Sequence, residues 1–148
     1  MNEKSEKIYY LNHNIREYKK EGYPCGPASL KALAETYGVS LCLELEYQGL
    51  IFTNGGYVKD RCAFFQSAAV IIGLWLGRTD PSVKRDAYRQ AMGILSETFS
   101  KNVGSYLCQN ISECSDFQNE ECLESLSQTV IESLDYILEN IVRRQSTN

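Results

Sequence analysis

The feature that most constrains the fold is a long stretch between Arg61 and Arg78 that contains no charged residue. A helix drawn through this stretch carries apolar side chains on every side: Phe64, Phe65, Val70, Ile71, Ile72, Leu74, Trp75 and Leu76. Because a helix that is apolar all round is normally buried, the pattern predicts a central helix over residues 62–77 that the other helices surround. The stretch is shorter than the roughly 20 apolar residues that cross a bilayer, so we expect no membrane span.

The remaining elements are predicted from helical spacing of apolar residues and from capping signals. These signals place five more helices, over residues 8–20, 27–37, 40–51, 81–101 and 119–144. Pro81 is expected in the first turn of one of them, and Asn119 is expected to cap the last. The Gly55-Gly56 pair predicts a turn with positive φ and a close backbone approach. The sequence therefore predicts an all-α, single-domain bundle of five to six helices around a buried central helix.

Charge and composition exclude several functional classes. A formal net charge of −4 and a pI near 5.1 argue against a nucleic-acid partner, which requires a basic surface. The first ten residues are polar and do not form a signal peptide, so we expect a cytoplasmic protein whose thiols stay reduced. His13 is the only histidine, which excludes a zinc finger built from cysteine and histidine pairs.

Six cysteines are the main candidates for chemistry. Four of them fall at or within the first turn of a predicted helix or short turn: Cys25, Cys62, Cys108 and Cys122. Helix N-termini lower the pKa of a cysteine, and the thiolate attacks disulfides and binds metals. Four converging thiolates would suit zinc or an iron–sulfur cluster, and two pairs would suit a dithiol/disulfide switch. Cys42, expected to be a packing residue, and Cys114 also lie near helix starts or loops, so this placement alone does not select the four.

A resemblance selects them. In the order of its motifs, the chain resembles a family of redox-active proteins with the pattern C…CGAxxG…C…C: Cys25, Gly55-Gly56, Cys62-Ala63, Gly77-Arg78-Thr79-Asp80-Pro81, Cys108 and Cys122. The resemblance runs from about residue 22 to residue 141. It implies that the four cysteines are redox thiols or iron–sulfur ligands. In this alignment Ala63 and Ser67 replace the two glycines of the motif, and Phe64 replaces its alanine.

With this resemblance, the chain is predicted to divide into three parts. Residues 1–21 form an N-terminal helix or extension, residues 22–144 a four-cysteine helical domain, and residues 145–148 a frayed tail.

Three functions remain open at this point. The first is a redox or electron-transfer protein that uses Cys25, Cys62, Cys108 and Cys122 with a partner protein whose identity is unknown. The second is a helical module with a structural zinc ion held by the same four cysteines. The third is a helical interaction domain without a site, such as a homodimer, for which ten tyrosines and an amphipathic last helix would suit an interface.

Overall fold

The computed structural model describes residues 2–145, and this part of the chain contains helices and turns but no strand. The seven α-helices are α1 (Glu3–Lys20), α2 (Cys25–Thr36), α3 (Leu43–Gln48), α4 (Ala63–Leu76), α5 (Asp86–Val103), α6 (Glu120–Ile137) and α7 (Arg143–Gln145). The all-α prediction is confirmed. The helix count is higher than the predicted five to six because the last predicted helix is interrupted by a π turn, Leu138–Val142, between α6 and α7.

Shorter helical segments connect the α-helices. The helix predicted over residues 40–51 is only partly α-helical, since α3 passes into a 3-10 helix at Gly49–Phe52. A second segment, Cys108–Phe117, joins α5 to α6 and consists of short 3-10 turns separated by non-helical backbone at Ile111, Ser115 and Asp116. Cys42 directly precedes α3 and is exposed, so the expectation that it is a packing residue is wrong.

The predicted central helix is α4, which packs against α2, α5 and α6. Its first turns are buried, with Phe64, Ile71 and Ile72 fully enclosed. Its end is not, because Leu74 is 45% exposed and the chain leaves α4 through an exposed segment, residues 77–86. The expectation of a helix buried on all sides is therefore wrong for its last turn.

The start of α5 also differs from the sequence prediction. The helix begins at Asp86 rather than at Pro81. The Asp80 carboxylate accepts hydrogen bonds from the backbone N–H (2.9 Å) and the hydroxyl (2.8 Å) of Ser82, which closes a turn instead of capping a helix. Asp followed by Pro is a common turn sequence for this reason.

Other sequence signals are confirmed. Gly104 ends α5 with a φ of 95°, and the Asn119 side chain accepts the backbone N–H of Cys122 at 3.1 Å to cap α6. The apolar stripe of α6 is buried: Leu123, Leu126, Val130, Leu134 and Ile137. Local capping and periodicity therefore account for most of the helical framework.

Within residues 2–145, no helix combines the length and the apolar character that crossing a membrane requires. Gln145 is the last described residue, so residues 146–148 of the predicted tail lie outside the described part of the chain.

Candidate functional site

The candidate site lies where the N-termini of α2, α4 and α6 meet the segment 106–117. We call this region the cysteine end. It carries five of the six cysteines: Cys25, Cys62, Cys108, Cys114 and Cys122. Burial is the main cause of the raised pKa values of Cys25, Cys62 and Cys114, and other thiols of the cysteine end contribute to each of the three.

Backbone pairing holds Cys62 and Cys108 side by side. The N–H of Cys62 donates to the carbonyl of Tyr106 at 2.7 Å, and the N–H of Cys108 donates to the carbonyl of Asp60 at 2.6 Å. These bonds form a short antiparallel bridge centred on Arg61 and Leu107. Two distant parts of the chain are thereby fixed to one another directly at their cysteines.

The glycine turn has the positive φ and the close backbone approach that the sequence predicts, and it packs on the cysteines. Gly55 has a φ of 64°, and a Cβ at this position would lie 2.9 Å from the Cβ of Cys108 and 2.4 Å from the backbone N of Asp60. Only glycine fits such a close approach. The preceding residue, Asn54, donates its backbone N–H to the sulfur of Cys25 at 3.3 Å. The turn therefore contacts two of the four predicted cysteines.

Cys25 is the first residue of α2 and is held from a second direction. Its backbone N–H donates to the Asp116 carboxylate at 3.1 Å, and the same carboxylate oxygen lies 2.7 Å from the ammonium of Lys19. Asp116 therefore connects the end of α1, the start of α2 and the segment between α5 and α6.

Burial reverses the predicted effect of the helix N-termini on two thiols. Burial raises the pKa of Cys62 to about 12, and the hydrogen bonds from the backbone N–H groups of Phe65 and Phe64 offset only part of this. Burial likewise raises the pKa of Cys25, against the lowering effect of the Asn54 N–H. The expectation of lowered pKa values is wrong for these two residues, because loss of hydration outweighs the helix terminus.

Cys114 is a buried thiol that the sequence prediction does not select. It is 7% exposed, and its pKa is raised by burial first and then by the neighbouring Cys122 thiol. The sequence does contain a signal for it. The buried residues of the segment recur every third position, as a 3-10 helix requires: Cys108, Ile111, Cys114 and Phe117.

The donor chemistry of the site suits zinc and iron–sulfur clusters, which bind thiolates. The arrangement does not. In the described part of the chain, no three side chains of Cys, His, Asp or Glu are placed so that they could hold one metal ion. The bridge and the glycine turn bring Cys25, Cys62 and Cys108 into one neighbourhood, and Cys122 lies at the start of α6, which packs against the segment that carries Cys114.

Comparison with known proteins gives one match. A family model described as "Putative redox-active protein (C_GCAxxG_C_C)" matches residues 23–136. Neither the curated proteins nor the solved structures gave a match.

The pattern that describes the family contains a Cys-Ala step, and this chain has a single such step, at Cys62-Ala63.

Proposed function

This chain belongs to the C_GCAxxG_C_C family of redox-active proteins, and we propose that it is a thiol–disulfide redox protein working through Cys25, Cys62, Cys108 and Cys122. The observation that carries this proposal is the meeting of these cysteines at one end of the bundle, although they come from four separate segments of the sequence.

The proposed reaction is a two-electron exchange with a partner disulfide. Two thiols of the cysteine end lose two electrons and two protons and form a disulfide, and the partner disulfide accepts both and becomes two thiols. Because the attacking species is the thiolate, raised pKa values at Cys25 and Cys62 keep these two thiols unreactive near neutral pH until a reaction begins elsewhere.

The cysteines differ in solvent exposure, which supports one of them as the first to react with a partner. The relative exposures of Cys25, Cys62 and Cys108 are 3%, 5% and 7%. Cys122 is partly exposed at the start of α6, although it also packs against the core. We propose that a partner reacts first at Cys122. Reversible thiol chemistry of this kind fits a reducing compartment, so we also propose a cytoplasmic location.

Thiol counting on protein purified without oxygen tests the proposal. Incubation with glutathione disulfide should remove free thiols in pairs, and reduction with dithiothreitol should restore them. A variant with all four cysteines replaced by serine should show no such paired loss, whereas Cys42→Ser, which changes an exposed cysteine at the start of α3, should behave as wild type.

Metal content and an absorption spectrum of the same sample separate the alternatives. Visible absorbance with bound iron would favour an iron–sulfur protein, and stoichiometric zinc without reversible oxidation would favour a structural zinc module. Either result would replace the thiol–disulfide proposal.

A further inference from the structure

A cavity borders the end of α4 that lies away from the cysteines. It has a volume of about 280 Å³ and is lined by residues of the last turn of α4, the exposed segment 77–86, the first turn of α5 and the turn Leu138–Val142. Cys62 directly precedes α4, and a 14-residue helix with a rise of about 1.5 Å per residue places the cavity roughly 20 Å from this cysteine. The cavity is therefore separate from the cysteine end.

One wall of the cavity is apolar and partly aromatic. Its side chains are each partly buried and pack against the core of the bundle: Trp75, Leu76, Ala87, Tyr88 and Val142. The Trp75 ring is also packed edge-on against Tyr37, with ring centroids 5.5 Å apart. Aromatic side chains that are held in place in this way offer a flat apolar ligand stacked or edge-on contacts.

The charged residues that line the cavity are both cations, Arg78 and Lys84, and no carboxylate lines it. Both cations are exposed, and within residues 2–145 neither of them forms an ion pair. One N–H group of the Arg78 guanidinium donates to the carbonyl of Gly77 at 2.6 Å, and a guanidinium has five such donors. The positive charge beside the apolar wall is therefore not neutralised by the protein.

The carboxylates nearest in sequence do not compensate these two cations inside the cavity. The Asp80 carboxylate accepts its hydrogen bonds from Ser82, and Asp86 is the first residue of α5; neither residue lines the cavity. In a chain with a net charge of −4, this cavity is a local site of positive charge. A concave surface lined by charge of one sign attracts ligands of the opposite sign.

From this combination we propose that the cavity binds a small aromatic carboxylate. The ring of the ligand packs against Trp75 and Tyr88, and its carboxylate pairs with the Arg78 guanidinium and the Lys84 ammonium. The volume lies just below the roughly 300–1,000 Å³ of most ligand pockets, which favours a ligand with a single ring. This binding requires no cysteine, so the proposal goes beyond the thiol–disulfide function and does not depend on it.

An NMR titration of the reduced, full-length protein tests the proposal. Trp75 is the only tryptophan of the chain, so the single indole N–H resonance reports directly on the wall of the cavity. The two probes are cinnamate and cinnamyl alcohol, which share a ring and a side chain but differ in the carboxylate. We expect cinnamate to shift the indole resonance saturably and to bind more tightly than the alcohol.

Three substitutions locate the charge recognition. Arg78→Met and Lys84→Met should each weaken cinnamate binding by about twofold to fivefold, as expected for an exposed charge pair, and leave binding of the alcohol unchanged. Lys101→Met is the matched control, because it removes the same charge from an exposed residue in the last turn of α5 that does not line the cavity. This variant should bind cinnamate as the wild type does. The three lysine and arginine side chains are exposed, so none of the substitutions should impair folding.

Three results would overturn the proposal: no saturable shift of the indole resonance with cinnamate, equal affinity for the two probes, or equal weakening of cinnamate binding in Lys101→Met. The last result would mean that the net charge of the protein, rather than the cavity, attracts the anion. Because the titration uses reduced protein, its outcome is independent of whether the thiols can be oxidised. Paired loss of thiols without cinnamate binding would therefore leave the thiol–disulfide function standing and overturn this inference alone.

Discussion

The helical core and the cysteine end of this molecule are stabilised in different ways. The core consists of regular helices whose apolar faces are fully buried, as at Leu95, Phe99 and Leu134. The cysteine end is built from turns, short 3-10 segments and helix starts. In the described part of the chain, every residue other than glycine with positive φ belongs to the two turns of the cysteine end: Asn54, Tyr57, Lys59, Asp116 and Phe117.

This difference shows where the fold stores strain. A left-handed conformation costs a residue with a side chain roughly 1–2 kcal/mol. Such conformations persist only where surrounding contacts enforce them, and they concentrate at functional sites. The core must therefore supply the free energy of folding, while specific hydrogen bonds and one ion pair hold the cysteines in place. Substitutions in one region should therefore show whether the stability and the thiol reactivity of the other region change with it.

The largest effect is expected in the core, for Phe99→Ala. Phe99 is fully buried on α5, and its ring packs edge-on against Phe65 of α4 at 5.3 Å. Removing the ring leaves a cavity, and we expect the free energy of unfolding in urea to fall by about 3–5 kcal/mol. The control is Ser100→Ala, at the exposed neighbouring residue, which should change the free energy of unfolding by less than about 0.5 kcal/mol. Equal losses in the two variants would contradict the description of a core that carries the stability.

The second effect concerns alkaline pH and Cys62. Burial raises the pKa of this thiol from 9.0 to about 12, so the folded protein holds the proton more tightly than the unfolded chain does. The stability that the protonated Cys62 thiol contributes to the folded state is therefore fully present below pH 9 and is lost as the pH rises towards 12. Three pKa units correspond to a loss of at most about 4 kcal/mol.

Urea unfolding at several pH values between 8 and 11 measures this loss, in the wild type and in Cys62→Ala. Tyr37 is partly buried, and its raised pKa adds an alkaline slope to both proteins, so the informative quantity is the difference between them. The variant should lose less stability per pH unit than the wild type. Parallel curves would mean that Cys62 ionises as it does in the unfolded chain.

The third comparison replaces two glycines by alanine and predicts changes of opposite sign in the free energy of unfolding. Gly55→Ala places a methyl group against Asp60 and Cys108 in a left-handed turn, and we expect a loss of about 1–3 kcal/mol in unfolding free energy. Gly93→Ala lies in the middle of α5 with no atom within 4 Å of the new group, and we expect a gain of about 0.5–1 kcal/mol. Alkylation of Cys108 should also become faster in the first variant only. A stabilising Gly55→Ala would show that the turn is not packed on the cysteine end as described.

The helical framework could be predicted from the sequence because its signals are local. The α6 stripe, the Asn119 cap and the Gly104 terminator depend on residues within a few positions of one another. The start of α5 was mispredicted because the Asp80 side chain closes a turn on Ser82, a choice that the same residues also permit.

The candidate site could be predicted only in part, since its decisive properties are not local. The resemblance selects Cys25, Cys62, Cys108 and Cys122, but the burial of Cys114 depends on how its segment is anchored to other helices through Asp116. The pKa values of Cys25 and Cys62 were expected to fall because only their own helix termini were visible. Burial by distant segments reverses the direction.

The smallest effect separates two neighbouring lysines at the end of α1. The Lys19 ammonium lies 2.7 Å from the Asp116 carboxylate, with side-chain exposures of 22% and 30%, whereas Lys20 pairs with Glu17 at exposures of 73% and 48%. Lys19→Met keeps the apolar stem but leaves a partly buried carboxylate without its cation, and we expect a loss of about 1 kcal/mol. Lys20→Met should cost less than about 0.5 kcal/mol, because exposed ion pairs contribute little.

The distinction between the two lysines should be clearest in hydrogen exchange. In Lys19→Met, the amides of Cys25 and of residues 115–118 should exchange faster while those of α5 and α6 keep their protection, because Asp116 also accepts the N–H of Cys25. Cys114 should then be alkylated faster as its turn loosens. If α5 and α6 lose protection to the same extent, the cysteine end and the core unfold as one unit, and the strained turns are stabilised by global folding rather than by their own anchors.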